Sequence, residues 1–502
     1  MSIRRTCMAL LFGLGIMAAQ AQPPSPAVST PSGSSHSGFS ESDAGPLPVR
    51  IAIPGTLPEA SEELSEQEVI GIYADGFSAS WVSKAPSDST VCILPEQKQG
   101  WCERHETDRT DHMVRVRGLQ PGTRYAYWLM SGGRRAATLE GNPEVLTTLS
   151  LPPGRHLFDV VLLNDIHIGE VCSGQLIGLG DISIPPCSEI PYGVQPGDYS
   201  SLMFLAAANS IHALAPALLL VNGDLTNAGA YTDMMEARSL IEGLGIPWAV
   251  SRGNHDRPGQ GGAGEAAFCG PTLDCFTTVF RPGSDARVQP IAMEVGSTRF
   301  LLLDSDNGGL GDLRDEGQQQ WLAQQLADHP TNRTFILLHH PPSTYSNLTM
   351  LPPENGVPFF KGSGWLRDLV AQHPQVVGVF SGHTHRNLIG YDDATGRVPW
   401  VETGALKSYP AGYTVLRIYE GGYLREFHRA DCDFCRRWAS VTRYENLGTN
   451  ASYMLGELHA RAFTYIDDCD HRTPAQPSKP WRVGGDSGQD TQGCGGRTDL
   501  FP

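Results

Sequence analysis

A chain of 502 residues, 40% of them hydrophobic, is longer than one ordinary core accommodates, which sets an expectation of about two or three domains. Its 54 acidic against 37 basic residues give a formal charge of −17, with no Lys/Arg-rich run along it. That balance excludes a protein built to track a nucleic-acid duplex and suits a soluble chain kept dispersed by its surface charge.

The first element in chain order is an export signal. Arg4 and Arg5 precede a short apolar stretch and then Ala19-Gln20-Ala21, so residues 1–21 read as a signal peptide cut after Ala21. Paired arginines suit twin-arginine export of a folded protein, and the general secretory route fits the same segment equally. No other apolar run reaches the length of a membrane span, so the mature protein is expected to be secreted or periplasmic, with no membrane span. Residues 22–48 are rich in Pro, Ser and Gly and carry almost no large apolar groups. They read as a flexible leader.

From 49 to 148 the pattern changes to short alternating stretches, among them EVIGIYADGFSASWVS and HMVRVRGLQPGTRYAYWLM, separated by Gly/Pro turns. Period-two alternation with frequent turns predicts a small β-sandwich. The segment Leu119-Gln120-Pro121-Gly122-Thr123-Arg124-Tyr125 resembles the tyrosine-corner stretch of fibronectin type III domains, which precede the catalytic domain in purple acid phosphatases. It carries no catalytic constellation, and a packing or spacer role is the expectation.

Beyond residue 155, apolar strand-like runs alternate with helical stretches such as SLMFLAAANSIHALA, DMMEARSLIEGLG and EGQQQWLAQQLADH, which predicts a sheet covered by helices. Five of the apolar runs end on metal-binding side chains. FDVVLLNDIH delivers Asp165 and His167, ALLLVNGDLT Asp224, IPWAVSRGNHD Asn254, RTFILLHHPP His339, and VVGVFSGHTH His383 and His385. Buried parallel strands that emerge into loops carry their ligands to one crevice at the strand ends. Carboxylate, amide and imidazole together, without a thiolate, suit divalent metals of intermediate hardness rather than structural zinc.

DxH, GD, GNHD, HH and GHxH, in this order, resemble the five blocks of the calcineurin-like metallophosphoesterases. The resemblance places a domain at 155–430 and implies an α/β fold, a four-layer αββα sandwich behind the all-β fibronectin type III-like sandwich. Its second sheet would include MEVGSTRFLLLD, VPWVETGA and YTVLRIYE. Periodicity alone does not separate this from a single doubly wound sheet. Carried over, the first of two metals would take Asp165, His167 and His385, the second Asn254, His339 and His383, and Asp224 would bridge them at the separation of about 3.5 to 4 Å that two-metal hydrolysis uses. The ions implied are divalent or mixed-valence Mn, Fe or Zn. A hydroxide bridging them would attack phosphorus, and His255 would protonate the leaving group. Asp256 would orient His255 or serve as a helix cap; both roles stand. Within His339-His340 the family pattern favours the first as the ligand, leaving His340 to the pocket.

Two departures narrow the resemblance. Purple acid phosphatases carry a tyrosine three residues after the bridging aspartate, where this chain has Asn227. The last block runs on as Arg386-Asn387-Leu388 rather than Ala-Tyr-Glu-Arg. The implied function is thus an exported, dinuclear-metal-dependent phosphoesterase acting on small phosphate mono- or diesters. The alternative is a catalytically silent binding protein of the same fold.

Of 11 cysteines, loss of Cys7 with the signal leaves ten, an even number that suits disulfides in an exported chain. Local spacing suggests Cys92 with Cys102, Cys172 with Cys187, and Cys269 with Cys275, while Cys432, Cys435, Cys469 and Cys494 pair among themselves in a Cys-rich, disulfide-tied tail at 431–502. A zinc or redox role for Cys432-Asp433-Phe434-Cys435 is the competing reading. The long segment after His167, stapled by Cys172 and Cys187, is expected to wall the substrate pocket.

Overall fold

The computed structural model describes residues 48–467 apart from 97, 139–142, 175–189, 259–268, 270–273, 282–289, 307–311, 343–362 and 446–450. The signal peptide, the leader to residue 47, Cys187, Cys469 and Cys494 lie outside the described residues.

Alternation in the front segment produces a two-layer sandwich. Two strands, Gly76–Pro95 and Trp101–Arg117, are long enough to belong to both layers. They pair with each other along both halves; near the turn at residues 74–75 the first also pairs with Leu64–Tyr73, and beyond an irregularity at Val82/Ser87 its other edge pairs with Arg124–Ser131. Register breaks of this kind let one strand bend from one sheet into the other. Ile72, Phe77, Trp81, Val91, Val116 and Leu146 fill the space between. At the corner, Tyr125 Oη accepts a hydrogen bond from Gln120 N at 2.9 Å, and Leu119 is buried beside it. This is the tyrosine-corner bond that the Leu119–Tyr125 segment implied. Cys92 and Cys102, directly opposed across the strand pair, form a disulfide.

The second half of the chain builds two six-stranded sheets. In the first, Leu218–Asn222 lies parallel between His156–Leu163 and Trp248–Ser251. In the second, Thr298–Leu303, Arg333–Leu338, Val376–Ser381 and Pro399–Glu402 run parallel. Successive strand residues face opposite ways, and the burial records it. Val161, Leu163, Leu219 and Val221 pack under helices Tyr199–Leu214 and Tyr231–Gly243, while Val160, Leu162, Leu218 and Leu220 face Phe300, Phe335, Leu337 and Phe380 of the other sheet. Leu301, Ile336 and Val379 then pack under helices Glu316–Asp328 and Ser363–Gln372. The layers are therefore helix, sheet, sheet, helix. Both faces of every central strand are apolar, which is why periodicity does not reveal how many sheets there are.

Two expectations are corrected here. YTVLRIYE does not join the second sheet: Gly412–Tyr419 pairs antiparallel with His156–Leu163 in the first. Its residues are buried on both faces, so the run carries no mark of its neighbour. The segment from 431 is also not a tail as far as 467. Helix Asp433–Thr442 packs on the first sheet through Trp438 and Ala439, and Ala462–Ile466 adds the sheet's edge strand against Gly422–Arg429. The Cys- and Gly-rich composition around this short apolar run masked it. Cys432 and Cys435 are bonded to each other at the start of that helix, in place of the zinc reading, and Cys269 is bonded to Cys275. Cys172 is also disulfide-bonded.

The sandwich is fixed to this four-layer body through Glu68. Its buried carboxylate meets Arg429 Nη2 at 3.0 Å, Tyr409 Oη at 3.2 Å and the Arg443 guanidinium. Leu424 and Ala462 of the first sheet extend the sandwich core across the seam.

Candidate metal centre

Each apolar strand ends in a sharp turn that points a polar group into the crevice between the two sheets. Asp165, His167 and Asp224 have φ of 50°, 51° and 48°, and His383 and His385 have φ of 70° and 58°. Left-handed backbone is unfavourable for residues with a Cβ and persists where surrounding structure imposes it, typically at functional sites. The turns brace one another: His167 N donates to Asp224 O at 3.0 Å, Gly382 N to His339 O at 2.9 Å, and His383 N to the Asp165 carboxylate at 3.1 Å. The glycines in GNH and GHxH follow from this crowding. A Cβ on Gly253 would lie 2.2 Å from Asp224 Oδ1, and one on Gly382 would lie 2.8 Å from Asp165 Oδ2.

Six of the seven residues anticipated as ligands fall in overlapping groups of candidate donors, and Asn254 precedes His255, whose backbone N–H bonds Asp224. Asp165, His167 and His385 form one group with ligand atoms within 4.8 Å, and Asp165, Asp224 and His339 form another. Asp165 is common to these two groups, and Asp224 also groups with His167 and His255. Asp224 Oδ2 lies 3.1 Å from His339 Nε2 and 3.5 Å from His167 Nε2. His339 Nδ1 donates to Asn222 O at 2.9 Å, which turns Nε2 towards the crevice. Asn254 is buried with no hydrogen bond to Oδ1, and neither ring nitrogen of buried His167 has one. Buried acceptors left unpaired in this way, beside two carboxylates, fit cations.

The electrostatics agree. Burial first, then the positive charge of Lys407, hold His167 and His385 well below the ordinary imidazole pKa, so both are neutral donors. Burial holds His383 down to about 3. Burial also opposes a charge on His339, but the adjacent Asp224 carboxylate outweighs it and pushes the pKa up to about 10. Burial drives Asp165 up to about 7. A proton on His339 thus occupies the position where the donor set calls for positive charge.

His340 keeps two geometric roles. Its Nδ1 is 2.8 Å from Ser305 Oγ, and its ring lies 4.5 Å from that of His383, so it also groups with His339 and His383. His255 donates its backbone N–H to Asp224 Oδ1 at 2.9 Å, and its ring Nδ1 is 2.7 Å from Asn227 O. It lies close enough to His167 and Asp224 to form a fourth candidate group. Asp256 does not orient His255, which corrects that part of the expectation. Its carboxylate accepts from Leu225 N, Thr226 N, Thr226 Oγ1 and Gly253 N, tying the GD turn to the GNH turn. Burial and the nearby Asp224 raise its pKa to about 6.

Several polar groups around the centre carry no sequence signature. Lys407 Nζ pairs with buried Glu170 Oε1 at 2.5 Å, and Tyr199 also bonds Glu170. Arg252 is held by Asp274 at 2.6 Å and Asp304 at 2.7 Å. Arg257 meets Asp306 at 2.5 Å. These partners lie tens to hundreds of positions apart, so spacing does not reveal them. Most of the anticipated pocket wall after Cys172 lies outside the described residues.

Position 227 yields a prediction. Its side chain is an amide and its carbonyl is engaged by His255, so no phenolate at this position can donate charge to iron. The iron-loaded protein is expected to lack an intense visible absorption band. A purple preparation would show that another tyrosine enters the coordination shell.

The sequence pattern of calcineurin-like phosphoesterases matches residues 158–387. A glycerophosphodiester phosphodiesterase of Enterobacter lignolyticus is 31% identical over 190 residues, 36% of this chain and 60% of the relative. A probable cyclic nucleotide phosphodiesterase of Synechococcus is 27% identical over 233 residues, 45% of this chain and 82% of the relative. The chain thus spans less than two thirds of the first of these proteins. Among solved structures, a purple acid phosphatase from yellow lupin seeds shows 15% identity and a TM-score of 0.39 over 73% of this chain and 71% of that one. The matched segment runs from strand His156–Leu163 past the turn that carries His383 and His385. This chain carries a calcineurin-like phosphoesterase domain.

Proposed function

We propose that this protein is an exported phosphoesterase that uses two metal ions to hydrolyse small phosphate mono- or diesters. The shared position of Asp224, within reach of His167 on one side and His339 on the other, carries this reading. Asp165, His167 and His385 would hold one ion and Asn254, His339 and His383 the other, with Asp224 common to both. Mn, Fe and Zn suit this donor set. When bound, two such ions stabilise charge on the phosphoryl oxygens and make water nucleophilic near neutral pH.

The remaining work falls to the chain itself. With Nδ1–H held by the Asn227 carbonyl, protonated His255 presents Nε2–H as the proton for the leaving oxygen. The carbonyl stabilises the charged ring before transfer. Asp256 keeps the two turns in register while this happens. The names of the relatives, both phosphodiesterases, support the diester side of the assignment. The signal-like residues 1–21 and the paired cysteines support export. Among the described residues no helix is long and apolar enough to cross a membrane.

Hydrolysis of bis-p-nitrophenyl phosphate and p-nitrophenyl phosphate, abolished by a chelator and restored by Mn, tests the reading. Retained metal with no turnover of either ester would support the silent binding protein instead.

A further inference from the structure

Beyond the metal ligands and His255, the charge balance of the crevice leaves one cation in a distinctive position. Among the described residues, Lys407, Arg252 and Arg257 are basic side chains near it. Lys407 is only 6% exposed and is paired with Glu170. Arg252 is 7% exposed and lies between Asp274 and Asp304. Arg257 is 27% exposed and ion-pairs with Asp306, its Nε lying 2.5 Å from Asp306 Oδ2. A guanidinium that ion-pairs through Nε has two further nitrogens, whose edge matches two oxygens of a phosphate.

The location is set by the neighbours. Arg257 directly follows the turn Asn254–Asp256, which brings Asn254 and His255 into the crevice. Asp306, its fully buried anchor, follows Ser305, which bonds His340 at 2.8 Å, and the His340 ring is 4.5 Å from that of His383. Arg257 therefore stands at the rim of the His339, His340 and His383 group. Burial, then His383 and His339, hold His340 well below the ordinary imidazole range, and the charge of Arg257 adds a smaller push in the same direction.

Resting on the phosphoesterase reading above, we propose that Arg257 contacts the substrate phosphate directly, with Asp306 as the residue that positions its guanidinium. A wide bidentate donor at the rim suits an ester whose phosphoryl group is seated on the far side by the metal centre. The contact is made in the ground state, so it governs binding more than turnover.

The test uses the metal-loaded full-length protein, with titration calorimetry of inorganic phosphate beside steady-state kinetics on bis-p-nitrophenyl phosphate. In Arg257→Ala, phosphate affinity is expected to fall about 10- to 100-fold and KM to rise in parallel, with kcat nearly unchanged and metal content equal to wild type. Arg257→Lys is expected to recover part of the loss, and added guanidinium ion to restore the alanine variant. Asp306→Asn is expected to shift KM in the same direction by a smaller factor. Unchanged phosphate affinity in both Arg257 variants, with the wild type binding phosphate and turning over the ester, overturns the role of Arg257 alone. Failure of the wild type to bind phosphate or hydrolyse either aryl ester overturns the parent reading and this proposal with it.

Discussion

Asp224→Ala is expected to lose both metal ions and reduce turnover by about 10³-fold or more, since a metal supplies several kcal/mol of transition-state stabilisation and each 1.36 kcal/mol is a factor of ten. The carboxylate lies 3.1 Å from His339 Nε2 and 3.5 Å from His167 Nε2, between the two sides of the crevice. It also accepts the His255 N–H at 2.9 Å, so its removal releases the turn that carries Asn254. Elemental analysis of wild type and variant checks this directly. Two equivalents retained in the variant, or one in the wild type, would refute a shared ligand.

His255→Ala carries the second large effect. The variant is expected to keep both metals and lose about 10²- to 10⁴-fold in rate on substrates with poor leaving groups. An activated aryl ester needs little proton assistance, so its rate should fall much less. The geometry makes this a sharp test, because the His255 ring lies 4.6 Å from that of His167 and the two group with Asp224 as candidate ligands. Metal lost together with activity would assign His255 to the coordination shell. Equal losses on both kinds of ester would remove it from proton transfer.

The ligand-bearing turns were legible because each follows an apolar strand that must be buried, and a parallel strand of this kind ends at a common edge whatever its neighbours are. The front sandwich was legible for a comparable reason. Period-two alternation and the Leu119–Tyr125 corner are local features, and the bond from Gln120 N to Tyr125 Oη spans only five residues. The edge strand Ala462–Ile466 escaped notice because its partner lies some forty positions upstream and the surrounding composition is that of a tail.

What the sequence by itself determined is the set of candidate donors and their order, since these depend on residue type at strand ends. What only the tertiary structure decided is the direction each donor faces. Asp256, adjacent to His255, turns into the body to receive four hydrogen bonds, while Arg257, one residue further, keeps part of its side chain exposed. Neighbours in sequence diverge in this way because the 3₁₀ turn at Asn254–Asp256 rotates successive side chains about 120° apart. Lys407 and Glu170 meet across 237 positions for the same kind of reason, as two loops from different strands share one buried charge pair. Such contacts arise from packing between distant segments, so no local spacing records them.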